Sequence, residues 1–283
     1  MVEAGLKAIT PHDYVNKPTH RVATVVWRGN FTPQHRTVAE ETPIAISYNR
    51  LTHAVMMASP SDLEDFAVGF SRSEGGVATA ADIEELEIIR AEAGVECRMW
   101  IRPALLDRLD ERRRSLAGPT GCGLCGLESL AEAIRRPPPV SAGILVHATH
   151  IQSAMNAMPA MQTLNAETRA VHAAGFWQDG SLVVVREDVG RHNALDKLSG
   201  ALARSGHDGA TGMVVMTSRI SLELVQKAAV LGTTILVAVS APTWRALDIA
   251  EAAGMTLVGI ARSDGFEVFT HPHRIIGAGV NQV

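Results

Sequence analysis

The segment PTGCGLCG, residues 119–126, places two cysteines three residues apart with glycine on both sides of each. A core thiol needs packed neighbours and glycine supplies none, so Cys122 and Cys125 are set for exposure and backbone mobility. Several chemistries use parts of this pattern. The glycines of Gly121-Cys122-Gly123-Leu124-Cys125-Gly126 match the G-x-G-x-x-G dinucleotide fingerprint, but that motif follows a strand, and here a helical segment and a Pro-Thr pair come first. Zinc needs four ligands, and the next histidines, His147 and His150, lie beyond a proline run. A thioredoxin-type pair opens a helix directly after a strand, whereas this one sits in a glycine loop between helical segments. A mobile arm whose thiolate attacks or carries sulfur fits the pattern best, with a dithiol oxidoreductase as an alternative.

A second constellation is REDVGRHNALDK, residues 186–197. Glu187 and Asp188 end a strand, Gly190 turns the chain, and Arg191, His192 and Asn193 stand in the first turn of the next helix. Strand-to-helix turns of α/β sheets bind ligands, and a helix N-terminus with Arg and His beside it favours an anion such as phosphate. The plainer alternative has Asp188 capping the helix while Arg191 and His192 are solvated. Three further loops, TSRIS (217–221), SAPT (240–243) and ARSDG (261–265), each follow an expected parallel strand and should meet at one sheet edge. Ser218, Ser240, Thr243, Arg219 and Arg262 could then line one pocket for a nucleotide-sized polyanion. Each loop alone is a weak signal, since Ser or Thr before a helix is ordinarily a cap.

The elements that must position these residues fall into two groups. The first is strand-rich: RVATVVW (21–27), PIAISYN (43–49) and THAVMMAS (52–59) predict a meander. SDLEDFAVGFSRSEG predicts a helix with Ser61 as N-cap and Gly75 as stop. ELEIIRAEAGVECRMWIRP predicts a hairpin around Ala93-Gly94 that makes Cys97 a structural strand residue. Two helices, ALLDRLDERRRSLAG and LESLAEAIRR, flank the cysteine loop, and Pro137-Pro138-Pro139 marks a linker. This divides the chain into an N-terminal domain, 1–136, which includes the cysteine loop, and a C-terminal domain, 137–283. In the second, a helix near 149–163, a hairpin around Asp179-Gly180, and strands GMVVMTS, TILVAVS and TLVGIA alternate with helices. Continuous apolar strands between amphipathic helices predict an α/β unit whose sheet is covered on both faces.

Composition bounds the class. The chain of 283 residues is 46% hydrophobic and 20% charged, with a formal net charge of -4 and three cysteines. That balance argues against a general nucleic-acid binder. No apolar run approaches the roughly 20 residues needed to span a bilayer, and the N-terminal stretch lacks a signal-peptide core, so a cytoplasmic location is expected, with no membrane partner. A reducing compartment keeps the cysteines as thiols.

At this point the chain resembles a known family, the formate dehydrogenase accessory proteins called FdhD, which are sulfurtransferases. The resemblance rests on AEETPIAISYN, HAVMMASPSDLEDFAVGFSRSEG, RRRSLAGPTGCGLCG, EDVGRHNALDK, SRISLELVQKAA and TLVGIARSDGFEVFTHPHR, in that order along nearly the whole chain after about residue 20. It implies a C-terminal domain similar to the cytidine-deaminase fold and a homodimer. It also implies that sulfur is accepted from a cysteine desulfurase as a persulfide and passed to the bis(molybdopterin guanine dinucleotide) molybdenum cofactor before insertion into formate dehydrogenase. The non-catalytic alternative is a chaperone for that cofactor. The resemblance assigns the persulfide to Cys122 with Cys125 assisting, and cofactor contact to Ile260, Ala261, Arg262, Ser263, Asp264 and Gly265. His192, Arg219, Ser240 and Thr243 join them from the residue-based reading. The chain departs from the family pattern before its first C-terminal hairpin strand, where it has Thr168-Arg169-Ala170-Val171-His172. It carries no His-x-Glu with Pro-Cys-x-x-Cys, so the deaminase likeness is one of fold and no bound metal is expected.

Overall fold

The computed structural model describes residues 17–106, 134–140 and 143–277. Cys122, Cys125 and most of the two helices expected around them lie outside the described residues; the opening turn of the first, 103–106, falls inside and is helical, while the last three residues expected of the second, 134–136, are turn and coil.

The N-terminal part begins with an antiparallel ribbon of β1 (Thr19–Trp27) and β2 (Phe31–Ala39). The expected meander does not form, because β1 pairs with β2 instead of β3 (Thr42–Tyr48). In β2, six successive residues are exposed and Pro33 interrupts them, so no hydrophobic alternation marks it as a strand. Its pairing with β1 makes it one. The main N-terminal sheet has the order β4-β3-β6-β5, built from hairpins β3–β4 (Leu51–Ala58) and β5 (Ile83–Ala91)–β6 (Gly94–Ile101), with β3 and β6 joined in parallel.

Helix α1 (Leu63–Ser73) covers this sheet, with Phe66, Ala67 and Phe70 packed on Ile44, Ile46 and Met99. Burying a side chain such as Phe66 stabilises the fold by about 1.5–3 kcal/mol. The N-cap is Asp62 rather than Ser61, in the left-handed region at φ 52°, and no side chain caps the helix. Asp tolerates that conformation, and its carboxylate lies 3.6 Å from Arg186, so charge pairing replaces the expected cap. Cys97 is fully buried in β6, with its Sγ 3.8 Å from the Leu63 carbonyl oxygen.

The C-terminal part is a six-stranded sheet in the order β13-β12-β11-β10-β8-β9. β10 (Met213–Met216), β11 (Ile235–Ala238) and β12 (Thr256–Arg262) run parallel, while the hairpin β8 (His172–Gln178)–β9 (Ser181–Asp188) and the edge strand β13 (Gly265–Val268) are antiparallel additions. One face is covered by α4 (Arg191–Ser205), α5 (Leu222–Leu231) and α6 (Trp244–Ala253), which share a core with Phe176, Val214, Met216 and Leu236. The other face is covered by α2 (Ala148–Met161), whose Ile151, Ala154 and Met158 pack on Val215, Val237 and Val258. A short helix α3 (Thr163–Thr168) links α2 to β8, and two-residue strands β7 (Val146–His147) and β14 (Ile275–Ile276) pair in parallel.

The two sheets are joined through α1, which is buried at nearly every position because its second face lies on α4. The helices cross at glycines. A β-carbon on Gly69 would stand 1.7 Å from the Asp196 carbonyl oxygen, and one on Gly200 would stand 1.8 Å from that of Asp65. Only glycine permits this approach. Arg186 and Arg204 then reach across to Asp65, at 2.8 and 2.5 Å.

Candidate functional site

Topology collects the expected loops at one edge. The C-terminal ends of the parallel strands β10, β11 and β12 point the same way, and β8, antiparallel to β10, brings its first residue, His172, to that end. β9 is antiparallel to β8, so Glu187 and Asp188 also finish there, with His172 opposite Asp188. Backbone bonds stitch the loops together: the Thr243 amide donates to the Ile220 carbonyl (3.0 Å) and the Ile260 amide to the Ser240 carbonyl (3.4 Å). Thr217 closes the row, since its Oγ1 accepts from the Ala173 amide at 2.8 Å.

The EDVGRHNALDK segment divides its labour. Asp188 and Lys197 form a fully buried ion pair at 2.7 Å. The same carboxylate accepts from the Ser59 amide (3.0 Å), the Gly190 amide (2.8 Å) and Asn193 Nδ2 (2.9 Å), while Lys197 Nζ donates to the Ser59 carbonyl (2.9 Å). Asp188, Asn193 and Lys197 are thus structural, tying the start of α4 to the end of β4. Glu187 accepts from the Leu164 and Asn165 amides, both at 2.8 Å, at the start of α3. Arg191 and His192 are left facing the edge. His192 Nε2 lies 2.8 Å from Glu223 Oε2 and 3.3 Å from Ser221 Oγ. The hydrogen bond from His192 holds the Glu223 carboxyl below its ordinary pKa. His172 is pushed the other way from a charged imidazole: burial foremost, then the Arg191 charge, keeps its pKa below the usual value.

The remaining expected residues are placed as follows. Arg219 is exposed on the β10–α5 loop, and Ser218 is buried with its Oγ donating to the Arg219 carbonyl. Thr243 caps α6, its Oγ1 accepting from the Ala246 amide at 3.4 Å, so its hydroxyl serves the helix first. The 260–265 segment is not a strand-to-helix loop; it is a β-bulge followed by the β12–β13 hairpin. No helix follows β12, and the chain instead turns back to pair the strand's open side. Ile260 sits in the bulge at φ 51°, a costly conformation for a β-branched residue of the kind that gathers at ligand sites. Arg262, Ser263 and Asp264 are exposed, and Gly265 turns at φ 152°. Ala261 is 2% exposed within the core, which leaves only its backbone to meet a ligand. Sequence singled out His172 only within the departure before the hairpin; the register of β8 on β9, opposite Asp188, is what brings it to the edge.

The chain re-enters the described structure at residue 134, docks on α5 at Arg135 and then runs to the far end of α6. The Arg135 carbonyl accepts from Gln226 Nε2 at 2.7 Å, and the Val140 amide donates to the Ala253 carbonyl at 2.8 Å. Gln226 lies one turn along α5 from Glu223, the partner of His192. Between this strap, the end of α1 and α5 runs an open groove of about 370 Å³ lined by Arg72, Arg135, Arg136, Glu223 and Lys227.

Fold and site together define an α/β protein whose sheet edge gathers His172, Arg191 and His192, in a chain that also carries a Cys-x-x-Cys sequence. The model of the FdhD/NarQ family matches residues 39–276. The chain is 49% identical over 259 residues to the sulfur carrier protein FdhD of Agrobacterium fabrum, covering 90% of this chain and 96% of that one. It is 49% identical over 261 residues to that of Cupriavidus necator, covering 91% of each. A crystal structure reported as a formate dehydrogenase accessory protein from Desulfotalea psychrophila superposes with a TM-score of 0.73 at 27% identity, covering 92% of this chain and all of that one. The chain belongs to the FdhD/NarQ family.

Proposed function

We propose that this protein is a sulfur carrier in formate dehydrogenase maturation, working as a sulfurtransferase through a persulfide on Cys122. The thiolate of Cys122 attacks the outer sulfur of a persulfide on a cysteine desulfurase; the donor's S–S bond breaks, the donor leaves as a thiolate, and a new S–S bond forms on Cys122. The outer sulfur then passes, at the sulfane level, to the bis(molybdopterin guanine dinucleotide) molybdenum substrate at the sheet edge: the S–S bond breaks with its bonding pair on Cys122 Sγ, which leaves as a thiolate, and the metal supplies the pair for the new bond, being oxidised by two electrons as the sulfur becomes a sulfido ligand. Cys125 assists as the neighbouring thiol. The protein acts as a cytoplasmic homodimer, with formate dehydrogenase as the client that receives the sulfurated cofactor.

The observation that carries this reading is the tether at Arg135. Ten residues separate it from Cys125, and ten residues of chain span at most about 33–36 Å. The Arg135 anchor lies one helical turn, about 5 Å, from the residue that holds His192. The covalent chain therefore permits either thiol to reach the edge. The curated relatives' name, sulfur carrier protein, supports the same chemistry.

Intact-mass spectrometry after incubation with a cysteine desulfurase and cysteine tests it. Wild type should gain about 32 Da per sulfur, reversibly with dithiothreitol, and Cys122→Ala should gain none while keeping its fold, since persulfide formation needs the thiolate. Cells carrying only Cys122→Ala should lack formate dehydrogenase activity. Normal activity in a Cys122→Ala, Cys125→Ala double variant would instead establish a cofactor-binding chaperone.

A further inference from the structure

Apolar side chains gather on one face of the β1–β2 ribbon. Opposed residues of an antiparallel pair share a face, so Trp27 with Phe31 and Val25 with Pro33 lie together, with Ala23 and His35 next along the strands. The other face carries Val22, Thr24 and Val26, all part-buried, and Arg36, whose Nη2 donates to the Thr168 carbonyl at 3.2 Å and so turns this face to α3. The first face therefore points outward, and Val25, Trp27 and Phe31 on it are 66%, 66% and 74% exposed. Together they show on the order of a few hundred Å² of apolar surface, the size at which an exposed patch marks an interaction site. The charge of the ribbon is equally one-sided. Lys17, Arg21, Arg28 and Arg36 lie within residues 17–39, where no Asp or Glu occurs, although the whole chain has a net charge of -4.

We propose that this outward face docks the client, formate dehydrogenase, by entering an apolar cleft of the client that is rimmed with carboxylates. The inference rests on the client reading above and goes further by naming the surface that meets the client. An apolar centre that includes Trp and is ringed by Arg is the composition of a protein–protein hot spot. Position selects the client over the donor, because the desulfurase has to reach Cys122 whereas the client has to reach the sheet edge. Arg36 anchors the ribbon to Thr168 at the end of α3, and the first amides of α3 hold Glu187 at that edge. Phe31 at the ribbon tip is five residues from the anchor, about 17 Å, so a protein seated on the ribbon stands beside the edge that holds the cargo in that reading. A second copy of this chain is disfavoured, since a two-fold contact between identical faces sets Arg21 and Arg28 against their own equivalents. Pro33 denies β2 a complete edge for pairing with another strand, which leaves the face rather than the edge as the contact.

Biolayer interferometry with purified formate dehydrogenase apoenzyme as the probe tests the docking, alongside desulfurase-driven sulfur loading read by intact mass and oligomeric state read by light scattering. A Trp27→Ala, Phe31→Ala variant should weaken client binding by about tenfold or more, and an Arg21→Glu, Arg28→Glu variant should weaken it more at low salt than at high salt. Both variants should load sulfur like wild type and keep its oligomeric state, because every altered side chain is exposed. Wild-type client affinity in both variants overturns the inference and leaves the carrier reading, tested by Cys122→Ala, standing. Loss of sulfur loading with client affinity kept gives the face to the donor, and conversion of a wild-type dimer to monomer gives it to a second copy; either result overturns the inference. Ribbon-dependent binding to phosphatidylglycerol vesicles with client affinity unchanged gives the face to a lipid surface and overturns it as well. If wild type does not bind the apoenzyme at all, the client reading and the inference fail together, while sulfur loading still reports on the carrier chemistry.

Discussion

The surroundings of Cys97 set it apart from the two cysteines for which a sulfur-carrying role is proposed. Cys97 is sealed between β6 and the start of α1, and burial pushes its thiol up to about 12. At pH 8 that leaves roughly one thiolate in 10⁴, and no reagent can approach it without opening the core. A Cys122→Ala, Cys125→Ala variant should therefore gain no iodoacetamide adduct at pH 8 when folded and one adduct after denaturation, read by intact mass. Rapid labelling of the folded variant would show that Cys97 is reachable and reopen it as a sulfur acceptor. The structural role of Cys97 was legible from the hairpin around Ala93-Gly94, which puts it in a strand. At the sheet edge the residue types were legible but their duties were not. Thr243 and Ala261 looked equivalent to their neighbours in sequence, yet one caps a helix and the other fills the core. Asp188 looked like a ligand or a cap, and only the fold supplies its buried partner, Lys197, the seventh residue of α4, with Ser59 from just beyond β4.

At the scale of elements, local pattern gave the helices and most strands, because α5 and α6 each bury a stripe, α1 and α4 carry helically spaced apolar residues, and the parallel strands are continuously apolar. What local pattern could not give is partnership. The parallel pairing of β3 with β6 joins segments about 50 residues apart, and β2 owes its extended state to β1 alone. The α1–α4 crossing belongs to the same class. Gly69 and Gly200 look like helix-weakening residues in their own segments, each unfavourable by about 1 kcal/mol relative to Ala. Their value lies in the contact, where each leaves room for the other helix's carbonyl. Gly200→Ala should then destabilise despite the better helix propensity, by about 1–3 kcal/mol as overpacking forces the helices apart. Urea denaturation measures this directly, and a stabilised variant would refute the close approach.

At the scale of the whole molecule, the candidate edge is assembled from both parts of the chain. Ser59 at the end of β4 holds Asp188 and Lys197, which hold the turn that presents Arg191 and His192. The position of the edge thus depends on the N-terminal sheet, though no residue of that sheet was expected to serve it. The link is a buried ion pair, whose loss is asymmetric: removing one partner strands a charge, while removing both leaves apolar packing. Asp188→Ala should lower stability by about 3–5 kcal/mol, and adding Lys197→Met should recover much of that loss. Because the pair bridges the two parts, the single variant should also separate their unfolding. Trp100 lies in the N-terminal sheet and Trp177 in the C-terminal one, so variants retaining one or the other report each part by fluorescence. Coincident urea transitions in wild type, splitting in Asp188→Ala and rejoining in the double variant, would make this pair the coupling between the sheets. Coincident transitions throughout would assign that coupling to the α1–α4 crossing, where the glycines and the Asp65 pairs with Arg186 and Arg204 join the two parts, with Asp188 and Lys197 left to position the turn that carries Arg191 and His192.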